Sequence, residues 1–145
     1  MELFLIFIII QFSMVAFAYT EAVLEGKDAW ARNRKVWRFK IGGRYDYTSY
    51  HLVAYYLLFP LLIIALPLVI SGFNWSLFWF LLGAYLIGTI IQDFFWFIFN
   101  PEWSLKQWNP NDVDWYLWIA IGKFHVPVSY AVKFCIAILI FLYVV

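Results

Sequence analysis

The sequence predicts an all-α polytopic membrane protein with four transmembrane helices in an antiparallel bundle. Three observations carry that prediction. The 145 residues are 66% hydrophobic and only 13% charged, with a mean hydropathy of +0.80. An ordinary soluble domain is about a quarter charged, so this chain cannot cover itself with a polar surface. Four apolar runs stand in it, Leu3 to Leu24, Tyr50 to Ile70, Trp75 to Phe99 and Pro127 to Val145. Each is long enough for a hydrocarbon core that takes roughly 20 helical residues. Together they leave no room for a separate soluble domain, so residues 1–145 read as one membrane domain with helices near 3–24, 50–70, 75–99 and 127–145.

The first run contains Ala16-Phe17-Ala18 after a stretch of apolar residues, a small-x-small pattern of the kind that ends a secretory signal. Its beginning carries Glu2 and no Lys or Arg, against the basic start a signal has, and a retained helix is expected. Before the second run Gly42-Gly43 ends the preceding segment, and Asp46 or Thr48 is placed to cap the helix. Pro60 and Pro67 fall inside that run; neighbouring helices can re-satisfy the carbonyls they free, so a kink is expected and not a break. The Ser71 to Asn74 turn is short and makes the second and third helices antiparallel neighbours. Gly83, Ala84 and Gly88 give the third helix a smooth strip for close approach. Asn100-Pro101 stops it.

Seven of the ten basic residues, Lys27, Arg32, Arg34, Lys35, Arg38, Lys40 and Arg44, lie between the first two helices, against Glu25, Asp28 and Asp46. The positive-inside rule makes loop 25–49 cytoplasmic, and with it loop 100–126, leaving both termini outside and the protein in the cell (inner) membrane. Trp30 and Trp37 are seven apart and share a face if the loop is helical, which suits an interfacial segment in the headgroup layer. Its bases Lys27, Arg32, Arg34, Lys35 and Arg38 are then candidate contacts for anionic lipid headgroups; the plainer reading is a basic loop obeying the topology rule. In the second connection Trp115 to Ile121 is too short to span and apolar all round, so it lies in the interface or packs under the bundle.

Asp93 sits among Ile, Phe and Trp, roughly 9 Å inside the end of the third helix, and Lys133 lies at the matching depth in the fourth. One expectation is an Asp93 to Lys133 ion pair, with Gln92 or Ser129 satisfying leftover groups, since intramembrane charges are usually paired. A richer one adds Glu21 at the end of the first helix, His51 at the start of the second and His125 just before the fourth. Two imidazoles and two carboxylates are a donor set that a divalent transition metal accepts, and helix bundles build such sites from facing helices. The same groups could do acid/base work near the membrane surface. The expected pocket is therefore Glu21, His51, Asp93, His125 and Lys133, with Glu21, His51, Asp93 and His125 as candidate metal ligands.

Glu25-Gly26-Lys27 followed by Trp30, then Tyr50-His51, then Asp93-Phe94 with Trp96-Phe97 and Asn100-Pro101, resembles a pattern in a family of small prokaryotic four-helix membrane proteins with no assigned activity. That family often carries Glu where Gln92 stands and His where Tyr116 stands. The resemblance implies a four-helix membrane fold, and these two departures remove potential ligands.

The chain has no Gly-rich phosphate loop, no His-Glu-x-x-His helix and no Gly-x-Ser-x-Gly elbow. Its single cysteine, Cys135, forms no intramolecular disulfide. Only Gln11 is appreciably polar toward the outer side, so a channel or pump ranks last, as a small transporter. The leading expectation is a membrane protein with a metal- or headgroup-binding pocket at the cytoplasmic end. The alternative is a non-enzymatic structural or accessory subunit, partnered by another membrane protein or a second copy. The bilayer is the expected partner, and nucleic acid is not. In a Cys135→Ser background, a cysteine placed at Lys35 should react with an impermeant maleimide only from the cytoplasmic side; labelling from outside would reverse the topology.

Overall fold

The structure is a computed structural model and describes residues 2–29, 35–41 and 45–143. In chain order its elements are α1 (Glu2–Glu25), β1 (Arg38–Ile41), β2 (Tyr45–Thr48), α2 (Ser49–Ser71), α3 (Trp75–Phe99), β3 (Trp118–Ile121), β4 (Phe124–Pro127) and α4 (Val128–Tyr143). A short 3-10 turn, Leu105–Gln107, lies between α3 and β3. α1, α2 and α3 are long and apolar enough to cross a membrane. α4 has 16 residues, fewer than the roughly 20 that a full crossing takes.

α3 sits against both α1 and α4, and its small residues explain why. A Cβ at Gly88 would stand 2.9 Å from Met14 Cγ of α1, and one at Gly83 would stand 2.9 Å from the Phe141 ring of α4. The smooth strip thus serves two helices of the same chain. Gln11 of α1 adds a bond across the first contact, its amide donating to the Ala84 carbonyl at 3.1 Å. Asn74 caps α3 by accepting from the Leu77 amide at 3.0 Å, and α3 ends where Asn100 turns extended ahead of Pro101.

α2 is wound unusually. Leu52–Leu58 and Leu61–Ala65 are π-helical, with Pro60 between them. The prolines leave carbonyls without N–H partners, and a widened turn is one way a membrane helix re-pairs what remains. The Phe59 amide accordingly bonds the Ala54 carbonyl, five residues back. In that register the Tyr55 carbonyl would need an N–H from residue 60, which is proline. Tyr85 of α3 fills the gap, its hydroxyl donating to the Tyr55 carbonyl. The chain neither breaks nor runs on as a simple kinked α-helix.

The two connections hold β-hairpins that the sequence reading did not anticipate. β1 and β2 pair antiparallel, Arg38 opposite Thr48 and Phe39 opposite Tyr47. β3 and β4 do the same, Trp118 opposite Pro127 and Ile121 opposite Phe124, around Gly122 at φ +62°. Residues 35–37 are not helical, so the shared helical face expected for Trp30 and Trp37 does not exist at Trp37; Trp30 lies outside the described residues. The stretch read as one apolar segment divides in two. Val113, Trp115 and Tyr116 are buried under the helix ends, whereas Ile119 and Ile121 stand exposed on β3. Alternating β-branched residues before a glycine suit a two-stranded turn better than a short helix.

Two apolar clusters mark the two ends of the molecule. One joins Ile10 and Met14 of α1 with Ile64 and Leu68 of α2 and Phe80 to Tyr85 of α3. The other joins Ala22 and Ala29 with Trp96 and Phe97 of α3 and with Val113, Trp115 and Tyr116. The second lies at the end that carries both hairpins. Gly88→Leu should force Met14 and α1 away and lower stability by about 1–3 kcal/mol, read as a fall in the thermal midpoint in detergent. An unchanged midpoint would refute the close contact.

Candidate functional site

Glu21 is 4% exposed on α1, one turn from its end. A buried carboxyl group needs donors, and three reach it. Tyr50 Oη donates to Oε1 and Tyr55 Oη to Oε2, each at 2.9 Å, and the Gln92 amide also donates to Oε2. Tyr50 and Tyr55 are five apart, a spacing that points to different faces of an α-helix. The π-helical turn that starts at Leu52 brings them to one side. His51 stands beside them, its ring stacked on Tyr55 at 6.0 Å and its Nδ1 2.7 Å from Thr48 Oγ1. Thr48 is the N-cap of α2, so one hydroxyl starts the helix and orients the imidazole.

Asp93 meets a different partner from the one expected. Tyr116, carried up from the second connection, donates to Asp93 Oδ2 at 2.6 Å. Burial, and then the neighbouring carboxylate, pushes the Tyr116 phenol well above its ordinary range, so it remains a donor. Among the described residues no ion pair joins Asp93 to Lys133. A phenol held by the packed loop satisfies the carboxylate without requiring the flexible lysine to straighten.

These groups share one cavity of about 530 Å³ at the hairpin end. Glu21, His51, Asp93 and Lys133 all line it, as do Glu25 and Ser129. His125 is not among the lining residues. It lies on β4 opposite Ala120, and its carbonyl accepts from Trp108 Nε1 at 3.3 Å. Strand pairing, and not an early start to the fourth helix, sets its position.

The four-residue ligand set Glu21, His51, Asp93 and His125 is therefore not brought together. A different trio is: Glu21, Glu25 and His51 each offer one ligand atom, and these lie within 4.8 Å of one another. Glu25 is not among the ligands expected from the sequence, although it sits one helical turn after Glu21, on the same face. Nor are Tyr50, Tyr55 and Tyr116 expected as donors, since nothing local to their sequence marks them as partners of a distant carboxyl group. Trp96 also lines the cavity, and among the described residues its buried Nε1 has no hydrogen-bond partner.

Of the basic residues considered for lipid headgroups, Lys27 and Lys35 are exposed and Arg38 is partly buried on β1. Arg32 and Arg34 lie outside the described residues.

No protein-family model, curated protein or solved structure matches the chain. The site must be read from its own chemistry. Tyr116→Phe and Tyr85→Phe each remove a donor from a buried acceptor and should cost about 1–3 kcal/mol. Thermal unfolding in detergent checks both, and a wild-type midpoint for either would show that its hydrogen bond contributes nothing.

Proposed function

We propose that the four helices form an antiparallel bundle in the cell membrane, hairpin end toward the cytoplasm, and that the protein binds the polar head of a membrane ligand in the cavity at that end. One observation carries this reading. In a chain that is 66% hydrophobic, Glu21, His51, Asp93 and Lys133 come from four different helices onto the wall of one cavity. Ionisable groups inside a membrane are costly, face inward and mark ligand or ion pathways. A purely structural lock between two helices would need only two of them. The cavity volume, about 530 Å³, falls in the range of small-molecule sites.

A second reading rests on Glu21, Glu25 and His51. Two carboxylates and an imidazole within 4.8 Å are a donor set for a divalent transition ion, which would draw them closer to reach metal–ligand bond lengths of roughly 2.0–2.2 Å. On this reading the ion would occupy only one corner of the cavity.

Both readings are tested on protein purified in detergent without chelator or histidine tag. Lipid extracted from the protein is quantified by mass spectrometry and metal by elemental analysis, for wild type, Glu21→Gln and His51→Ala. A lipid-like species retained by wild type and lost from Glu21→Gln is the expected result. A near-stoichiometric metal lost from both variants would favour the second reading. Neither enrichment would sink both.

A further inference from the structure

The hairpin formed by β3 and β4 turns an apolar face away from the molecule. Residues opposite one another across paired strands share a face, and successive residues alternate. Ile119 pairs with Val126 and Ile121 with Phe124, so these four stand on one face, while Trp118 and Pro127 pair on the other. The second face is the inner one: Pro127 is fully buried, and the Trp118 indole donates to the Val113 carbonyl at 2.9 Å. On the outer face all four residues are apolar, and Ile119, Ile121 and Phe124 are 40%, 58% and 77% exposed. An antiparallel sheet with one face on a core and one in water is polar outward. Earlier in the same connection that rule is kept, since Glu102, Lys106, Asn111 and Asp112 are exposed. The hairpin breaks it.

The depth of the hairpin says what covers this face. α3 is long and apolar enough to cross a membrane, and α4 lies along it with the Phe141 ring against Gly83. From that contact α3 runs sixteen residues to its end at Phe99, and α4 runs back only thirteen to its start at Val128. At roughly 1.5 Å per residue, α4 begins about 4–5 Å short of the level at which α3 ends. β4 leads straight into α4, so the base of the hairpin lies within the depth that α3 occupies. Exposed Val132 and Phe134 follow on the first turns of α4. Lys123 is the one charged residue from Leu117 to Val126 and stands exposed beside Gly122 at the turn. A lysine stem can carry its ammonium to the phosphate layer while its neighbours stay in apolar surroundings. The outer strand edges rule out the hydrocarbon centre, where unpaired backbone groups are not tolerated.

We infer that the hairpin is a lipid contact, its face of Ile119, Ile121, Phe124 and Val126 set into the boundary between headgroups and chains with Lys123 at the phosphates. This contact rests on the membrane placement proposed above and holds whether or not the cavity takes a ligand. Leu117 and Val128 line the cavity, and the Val128 amide donates to the Leu117 carbonyl at 2.8 Å. The base of the hairpin is thus also a wall of the cavity, and lipid contact keeps that wall at the edge of the apolar layer.

The test places nitroxide labels singly, through Ile121→Cys, Phe124→Cys, Asp112→Cys and Ile9→Cys in a Cys135→Ser background, on the full chain in nanodiscs of phosphatidylcholine and phosphatidylglycerol. Collision with oxygen, which concentrates in lipid, is compared with collision with nickel ethylenediaminediacetate, which stays in water. Ile9, exposed on α1, and Asp112, exposed in the connection, give the lipid and water references. The labels at 121 and 124 should favour oxygen over nickel severalfold more than the label at 112 does. Nickel-dominated collision at 121 and 124, with the label at 9 in lipid, would overturn the hairpin contact and leave the membrane placement standing. Little collision with either reagent at 121 and 124 would mean that protein covers the face, and would overturn the lipid assignment. Nickel-dominated collision at 9 as well would overturn the membrane placement itself.

Discussion

The Glu21 carboxyl group is the constraint around which the hairpin end is built. It sits on α1, almost fully buried, and is reached by hydroxyls from Tyr50 and Tyr55 of α2 and by the Gln92 amide of α3. A buried carboxylate without partners costs several kcal/mol. Three helices must therefore keep their relative positions for the cost to stay compensated. The geometry of α2 follows from the same demand, because only a widened turn sets Tyr50 and Tyr55 on one side. The winding in turn strands the Tyr55 carbonyl opposite Pro60, and Tyr85 of α3 answers that. One carboxyl group, one proline and four polar donors form a single dependent set.

The ends of the molecule are held by different means. Away from the hairpins, apolar contacts and the close approaches at Gly83 and Gly88 hold the helices together. At the hairpin end, polar bonds and a floor of aromatic rings do so, with Phe97 and Trp108 in edge contact at 4.8 Å and Trp103 and Trp115 at 5.2 Å. Such rings provide large contact areas with restricted geometry. They carry Tyr116 to Asp93, and Phe97, Trp115 and Tyr116 line the cavity.

Composition and run length alone determined the four helices and nearly all their boundaries, three of them long and apolar enough to cross a membrane, because a hydrocarbon layer demands long apolar runs whatever their neighbours are. They also determined that Glu21, His51, Asp93 and Lys133 belong near one end, since depth along a helix follows from counting residues. Only the tertiary structure decided which groups meet. Asp93 went to Tyr116 and not to Lys133, Glu25 joined Glu21 and His51, and β4 set the position of His125 outside the cavity lining. Residue counting fixes height but not rotation about the helix axis. Rotation here depends on the π-helical winding of α2, which leaves no periodic signal in the chain, and on two short hairpins in the connections, which helix counting does not see.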